Sequence, residues 1–496
     1  MARKKYVVAL TTALGFLTAG AFAAGALSAR PWWAPGDGRL FKAQEDYVHA
    51  DGVLRTILEG GDIDTKGHAF FEPMGKDGRA CVTCHQPADG MGLSVESIKA
   101  QWTATKGKDP LFAAYDGSNC LTLPQGIEAS HSLLLEHGLI RIQRPWPPKD
   151  VAPDFDIEVV RDPYGCNTGK TFGLTASTPT VSVYRRPRPV ANMKFLLAMG
   201  FAYDPKDGMP LRVDPETGRQ ATGNLMADAR HPSLKAQLLD AGDTHLQMFE
   251  AFTPAQQAQI IDFENRIFTA QIKGPGGVDL DQGGAIGGPK ALMETQAGLL
   301  GGSTRPVWSE FQAWENMSAS EKASLPKDVV AYRESVARGA RVFREKTFII
   351  YDSAGINSPV GFGNPVRNSC VFCHNMAGMG NDVAPGQVDL GTTTQPFSDP
   401  APHLPLFRIT CKGPPHPHYG RVILTSDPGY GLTSGKCADV GKITLQSLRG
   451  LSTRAPYFVN GTAKDLRGVI DYYERRYNIG YTEQEKVDLI NLMKAL

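Results

Sequence analysis

RACVTCHQPADG (residues 79–90) and NSCVFCHNMAGMG (residues 368–380) each contain the pattern Cys-x-x-Cys-His, which occurs only twice in the chain. Random placement of the 8 cysteines and 11 histidines in this length would give on the order of 0.003 such patterns. Two thiols three positions apart can add to the two vinyl groups of one haem, and the histidine that follows can reach the iron as its proximal ligand. We therefore predict that haem 1 is held by Cys81, Cys84 and His85, and haem 2 by Cys370, Cys373 and His374.

Two other uses of these cysteines fit less well. A redox-active Cys-x-x-Cys pair belongs near a βαβ pattern and does not need the histidine. A zinc site built from two such pairs places them about 15–20 residues apart. Here the first cysteines of the two motifs, Cys81 and Cys370, are 289 residues apart.

Four cysteines remain outside the motifs: Cys120, Cys166, Cys411 and Cys437. In an oxidising compartment an even remainder indicates disulfides, although buried free thiols are the alternative. Three pairings are possible, and we favour Cys120–Cys166 with Cys411–Cys437 because it keeps each bridge beside its own haem motif.

The N-terminus is typical of an exported protein. Arg3, Lys4 and Lys5 precede an apolar stretch at 6–24, and small residues offer cleavage points after Ala23 or Ala29. This pattern predicts a bacterial secretory signal peptide and a periplasmic mature protein. An uncleaved membrane anchor is the alternative, because residues 6–29 are long enough to span a bilayer.

The composition is that of a soluble protein with two domains. The chain has 496 residues, 42% hydrophobic content and a mean hydropathy of −0.24. Its 52 Lys and Arg residues balance 51 Asp and Glu residues, which gives no support for a nucleic-acid partner. A Gly/Pro-rich stretch separates the two motifs and predicts a linker. We divide the chain into a signal peptide (1–29), an N-terminal haem domain (30–272), the linker (273–306) and a C-terminal haem domain (307–496).

Helical patterns are commoner than strand patterns. Thr253 and Pro254 predict the start of a helix, and Ser318 with Glu321 forms a capping box. Further helices are predicted at 328–344, after Asp465 with a stripe that includes Tyr473, and after Thr482. Only 158–160 and 421–424 resemble strands. We therefore predict a mainly α fold with little β structure, in two cytochrome c-like domains that each carry one covalent haem and long loops.

These motifs together resemble the bacterial di-haem cytochrome c peroxidase/MauG superfamily. The resemblance lies in residues 78–91, TPTVSVYRRPRPVAN (178–192), RHPSLKAQLLDAGDTHLQ (230–247) and the C-terminal residues 444–496, and is weaker between these blocks. It implies that peroxide or oxygen reacts at the N-terminal haem while the C-terminal haem receives or stores an electron.

The resemblance also implies residues beyond the two motifs. It places Tyr473 at the sixth ligand of haem 2, with an ordinary core tyrosine as the alternative. Met493, Met376, Met379 or the loop histidines His403, His416 and His418 could ligate instead, although we expect the loop histidines to be solvated. His245 is the best residue for the distal pocket of haem 1, either as an iron ligand or as an acid–base group. His131 and His137 belong to a helix that Gly138 ends.

Three positions depart from the family's pattern. The Trp between the haems is replaced by Phe201, and the loop His by Val459. The family's Pro at an interdomain calcium site is absent from TLQSLRG (444–450), so calcium is a doubtful implication.

Two functions are compatible with these observations. The first is a periplasmic di-haem enzyme that reduces peroxide, or uses peroxide or O2 to oxidise a protein residue or a small organic molecule. The second is a di-haem electron carrier. Either would exchange electrons with a small redox protein or another periplasmic donor. Because a carrier does not need so much sequence between the two motifs, we favour the enzyme.

Overall fold

The computed structural model describes residues 30–197, 202–203, 210–211, 222–248, 250–295, 308–357, 362–374 and 387–496. The predicted signal peptide, residues 296–306 of the predicted linker, and Phe201, Met376 and Met379 lie outside the described residues. Within the described ranges, no helix is both long enough and apolar enough to cross a membrane.

The prediction of a mainly α fold is wrong. Helices make up 34% of the structure and strands 18%, in several small sheets, and nothing in the described elements identifies a cytochrome c-like domain. The missed strands include Thr180–Arg185 and Ile267–Lys273, which are buried along almost their whole length. Their sequences, TVSVYR and IFTAQIK, alternate polar and apolar residues over only a few positions, and the sequence analysis missed this short signal.

The helices begin at strong capping signals. Thr253 and Gln256 form the capping box of one, and Ser318–Glu321 and Thr482–Glu485 form those of two others. The helices are α1 Val95–Thr105, α2 Ala114–Gly117, α3 Ser132–His137, α4 Met193–Leu197, α5 Leu234–Thr244, α6 Pro254–Arg266, α7 Pro289–Glu294, α8 Ala319–Ser324, α9 Lys327–Glu345, α10 Gly431–Ser434, α11 Leu466–Tyr477 and α12 Glu483–Ala495.

The strands are short and pair antiparallel. They are β1 Leu40–Phe41, β2 Gln44–His49, β3 Gly52–Leu58, β4 Ile63–Asp64, β5 Ile140–Pro145, β6 Phe155–Arg161, β7 Thr180–Arg185, β8 Ala202–Tyr203, β9 Pro210–Leu211, β10 Ile267–Lys273, β11 Phe348–Ile350, β12 Val366–Asn368, β13 Gln387–Val388, β14 Leu406–Cys411, β15 Val422–Thr425 and β16 Ile443–Thr444.

One sheet joins distant parts of the chain. Its order is β15-β14-β6, so a strand from the predicted N-terminal domain pairs with a hairpin from the predicted C-terminal domain. A second three-stranded sheet has the order β10-β3-β2. The backbone NH of Gln271 in β10 also contacts the carbonyl of Leu496 at 3.5 Å. The two predicted domains are therefore in direct contact, while their boundaries stay a prediction.

The largest core cluster lies among α9, α11 and α12. Its buried side chains include Val336 and Phe343 of α9, Ile470 of α11 and Leu492 of α12. α9 has glycine at position 339, where a Cβ would collide with the carbonyl of Asp488 in α12, so this glycine allows the two helices to approach closely. These three helices also form one wall of a cavity beside the second Cys-x-x-Cys-His motif.

Candidate functional sites: two cavities beside the Cys-x-x-Cys-His motifs

Each Cys-x-x-Cys-His motif forms a single turn. The backbone NH of His85 donates to the carbonyl of Cys81 at 3.2 Å, and that of His374 to the carbonyl of Cys370 at 3.0 Å. A turn of this kind brings residues four apart in sequence to the same side. Both cysteines and the histidine of each motif line one cavity, as the geometry of a covalently bound haem requires.

The first cavity, here the N-terminal cavity, has about 1220 Å³ of space, part of it open to solvent. Cys81, Cys84 and His85 lie in its wall, together with apolar side chains such as Leu238 and Phe252. A large, mostly apolar cavity with a few polar groups is typical of a cofactor site.

His85 is held in the state that an iron ligand needs. Its Nδ1 lies 3.2 Å from the carbonyl oxygen of Met91, so Nδ1–H donates and Nε2 is left for a metal. Burial lowers the pKa of His85 to about 4, which keeps the ring neutral at pH 7.

His245 and Asp116 form a polar pair in the wall of the same cavity. His245 caps the C-terminal end of α5, and its Nδ1 lies 2.7 Å from Oδ2 of Asp116. Arg79 is 3.7 Å from the same carboxylate oxygen. Because Asp116 occupies Nδ1, Nε2 is the ring nitrogen that can serve the cavity. Either role predicted for His245, iron ligand or acid–base group, would use Nε2.

Glu264 is a cavity residue that sequence reasoning missed. It is 5% exposed, and its Oε2 is buried without a hydrogen-bond partner among the described residues. Burial raises the pKa of Glu264 to about 8, so the carboxyl group is largely protonated at pH 7. The sequence did contain a signal for this buried carboxyl group: Glu264 lies four residues after Ile260 and therefore on the apolar face of α6.

The second cavity, here the C-terminal cavity, has about 1480 Å³ of space and is again open to solvent. Cys370, Cys373 and His374 lie in its wall, with Tyr473 of α11 and Met493 of α12. Val459 lines this cavity too. Trp308 donates from Nε1 to the carbonyl oxygen of His374 at 2.6 Å and so fixes the backbone at the motif.

Tyr473 faces His374 across the C-terminal cavity. The Tyr473 hydroxyl lies 3.4 Å from Nε2 of His374. If a haem binds in this cavity, His374 and Tyr473 are the side chains that would hold its iron. Met493 lines the cavity as well.

The motif cysteines differ from those of a redox-active dithiol in two respects. None of the four forms a disulfide. Burial raises the pKa of the Cys84 thiol to about 12 and that of Cys370 to about 11, whereas reactive thiols need a lowered pKa. Half-buried cysteines without a disulfide, in the wall of an apolar cavity, fit thioether attachment better.

The remaining cysteines lie in pairs. Cys120 is bonded to Cys166 and Cys411 to Cys437, with Cα–Cα distances of 5.6 and 5.7 Å. These are the pairs that the sequence analysis favoured. Cys411 lies at the end of β14, so its bridge ties the sheet to the 3-10 turn at Cys437–Asp439.

The other candidate histidines lie away from both cavities. His131 is buried, with Nε2 2.9 Å from the carbonyl of Phe112, and His137 ends α3 before Gly138. His416 and the side chain of His418 are 2% and 3% exposed, so the expectation that these are solvated loop residues is wrong. The ring of His403 stacks on that of His137 at 4.0 Å. None of the five lines either cavity in the part of the chain that the structure describes.

No group of three or more His, Cys, Asp or Glu side chains is placed to hold a metal ion within the described ranges. The interdomain calcium ion stays a prediction from resemblance.

Comparison with known proteins gives distant relatives only. No family model matches the chain. The cytochrome-c peroxidase IdrP1 of Denitromonas iodatirespirans is 26% identical over 239 residues, which are 43% of this chain and 60% of that protein. The cytochrome-c peroxidase IdrP1 of Pseudomonas sp. (strain SCT) is 27% identical over 206 residues, 37% of this chain and 50% of that protein. The chain thus spans only half to three fifths of these relatives, whose names suggest a peroxidase-type enzyme with a haem cofactor.

Proposed function

We propose that the chain is an exported, periplasmic c-haem oxidoreductase with two covalent haems, one in each cavity. Peroxide or O2 reacts on the side of the N-terminal cavity, and electrons pass through the C-terminal cavity. The observation that carries the proposal is that each Cys-x-x-Cys-His turn lines its own large apolar cavity. The two distant relatives named cytochrome-c peroxidase support the reaction class.

The two cavities suit different roles. In the C-terminal cavity, His374 and Tyr473 would together hold the iron of a bound haem. A haem iron held by two protein side chains would serve electron transfer. The N-terminal cavity has instead the hydrogen-bonded pair of His245 and Asp116.

When bound, a haem supplies redox chemistry at iron toward peroxide or O2. Side chains of the protein bind and transfer the protons. Asp116 holds Nδ1 of His245, which leaves Nε2 to accept a proton from peroxide and return it to the departing oxygen. Glu264 holds a proton at its carboxyl group elsewhere in the same wall. The electron donor is a small redox protein or another periplasmic donor.

Low-temperature EPR and optical spectra before and after stoichiometric peroxide test this proposal. We expect the N-terminal haem to be high-spin and to change on addition of peroxide. His245→Gln should slow that change by about 100-fold or more, the usual contribution of a positioned acid–base group. His231→Gln is the matched control, because His231 also pairs with a carboxylate, Asp240 at 3.2 Å, but does not line the cavity.

Two low-spin haems that do not react with peroxide, even after half-reduction, would contradict the enzyme and make the chain an electron carrier. An unchanged peroxide reaction in His245→Gln would remove His245 from the site while leaving the enzyme in place.

Tyr473→Phe should change the optical and EPR spectra of the C-terminal haem and leave those of the N-terminal haem unaltered. The reason is the position of its hydroxyl, 3.4 Å from Nε2 of His374. Tyr477→Phe is the control: Tyr477 also lines the cavity, but its hydroxyl pairs with Ser353 at 2.7 Å. Identical spectra for Tyr473→Phe and the wild type would leave Tyr473 an ordinary core tyrosine.

A further inference from the structure

The wall between the two cavities is thin. We call it the partition, and it consists of residues 186–188, 226–227 and 444–445. Arg186, Pro187 and Arg188 line both cavities, whereas residues 226–227 line only the N-terminal one and residues 444–445 only the C-terminal one.

Hydrogen bonds connect the two faces of the partition. Thr444 donates from its backbone NH to the carbonyl of Ala227 at 3.0 Å, and from Oγ1 to the carbonyl of Met226 at 2.7 Å. Arg188 donates to the carbonyls of Thr444 and Leu445 at 2.6 and 3.2 Å. The cavities are therefore separated by residues 186–188, which line both, and by two segments that are hydrogen-bonded to each other.

One set of buried arginines near the partition is neutralised. Three arginines contact three carboxylates at 2.7–3.7 Å: Arg144, Arg185 and Arg230 with Asp228, Asp240 and Asp427. The three positive and three negative charges balance.

A second set, next to the first, is not neutralised. Arg186 and Arg454 are buried and Arg188 is half-buried, and their guanidinium groups donate to backbone carbonyls and one amide oxygen. No ion pair links any of the three to a carboxylate among the described residues, and Nε of both Arg188 and Arg454 has no hydrogen-bond partner. Burial lowers the pKa of Arg188 to about 9 and those of the other two to about 10, which still leaves all three charged at pH 7. Buried cations without a counter-charge are costly, so an anion is expected beside them.

We propose that Arg188, with Arg186, is a counter-charge shared by carboxylates of both haems, so that the partition couples the two haems electrostatically. Each haem carries two propionate carboxylates, which the planar guanidinium fork of arginine binds well. Arg454 lines only the C-terminal cavity and serves that haem alone. The proposal rests on the proposed function only in requiring a haem in each cavity.

A cation shared in this way affects both irons. Positive charge near a haem favours the reduced iron, which carries one positive charge fewer. Removal of the Arg188 charge should therefore lower both reduction potentials, and removal of the Arg454 charge only that of the C-terminal haem. A purely structural role for Arg188 would not produce this pattern.

Spectroelectrochemical titration of the two-haem protein, without peroxide, measures the effect. In Arg188→Gln the ratio of reduced to oxidised haem at a fixed potential should fall about threefold or more for both haems, about 28 mV at 59 mV per factor of ten. Arg188→Lys, which keeps the charge, should stay closer to the wild type. Arg161→Gln is the matched control, because Arg161 also donates only to carbonyls, of Pro400, Ala401 and Leu404, and lines neither cavity.

The proposal is overturned if Arg188→Gln changes the reduction potential of one haem only, or of neither. It is also overturned if Arg161→Gln changes both potentials by the same amount as Arg188→Gln. Arg186→Gln carries the same expectation and replaces Arg188→Gln if that variant does not retain both haems. If neither haem reacts with peroxide but both reduction potentials fall in Arg188→Gln, the result would contradict the enzyme and support the shared counter-charge. Two haems with unmoved potentials would contradict only the counter-charge, and a chain with one covalent haem would contradict both.

Discussion

Replacing Cys370 and Cys373 together with alanine should remove one covalent haem, and replacing Cys81 and Cys84 should remove the other. Each pair lies in the wall of a separate cavity, so the loss of one attachment site should not affect the other. The haem content per chain, measured as the pyridine haemochrome, should fall to about half in each double variant. Because the proposed reaction needs both haems, peroxide turnover should be lost in both.

The disulfide cysteines supply the control. Cys120→Ala with Cys166→Ala removes two cysteines of the N-terminal part that are bonded to each other and do not line either cavity. This variant should lose stability, as expected for a broken disulfide, but keep the full haem content. An unaltered haem content in Cys370→Ala with Cys373→Ala would contradict the C-terminal attachment site.

Local signals in the sequence were sufficient to predict the long helices. The capping residues Asp465 and Thr482 and the apolar stripes that follow them predicted α11 and α12 close to their observed bounds. The inward position of Tyr473 follows from the same stripe, and its contact with His374 agrees with the predicted role without testing it. These features depend on residues three or four apart, which a sequence displays directly.

Features that depend on distant contacts were not predictable. β7 and β10 are buried on both faces, and even their polar side chains Ser182 and Gln271 are buried, which the sequence alone does not reveal. The sequence presents Arg185, Arg186 and Arg188 as one basic run. The structure separates them by their partners: among the described residues, only Arg185 contacts carboxylates, and these come from residues 228 and 427. Such pairing is decided by the folded chain as a whole.

Asp228→Asn should cause the largest loss of stability among single substitutions of charged residues beside the N-terminal cavity. Asp228 is fully buried and lies 2.8 Å from both Arg185 and Arg230. Breaking a buried ion pair leaves an uncompensated charge and typically costs 3–5 kcal/mol. We expect about 3 kcal/mol, the lower end, because Arg185 keeps Asp427 and Arg230 keeps Asp240. Guanidinium denaturation of the haem-containing protein, followed by circular dichroism, measures this loss.

We also expect the stabilising contribution of the Asp228 carboxylate to depend on pH. Burial alone would raise the pKa of Asp228, but Arg230, Arg185 and Arg144 hold it well below its usual range. A carboxyl group whose pKa is lower in the folded state stabilises the fold above its unfolded pKa of about 3.9, and this contribution is lost as the pH falls further. The difference in stability between the wild type and Asp228→Asn should therefore be constant near neutral pH and shrink below about pH 4.

Asp46→Asn is the control variant, because it removes the charge of an exposed ion pair and so separates the effect of burial from that of losing a charge. Asp46 accepts two hydrogen bonds from Arg55, at 2.6 and 2.7 Å, but its side chain is 40% exposed. Exposed ion pairs contribute little because water already solvates both groups, so this variant should lose less than about 1 kcal/mol. If Asp46→Asn and Asp228→Asn lose the same stability, the buried network is not what stabilises this wall of the N-terminal cavity. A large loss for Asp228→Asn that persists unchanged below pH 4 would mean that the substitution acts through packing and not through the lost charge.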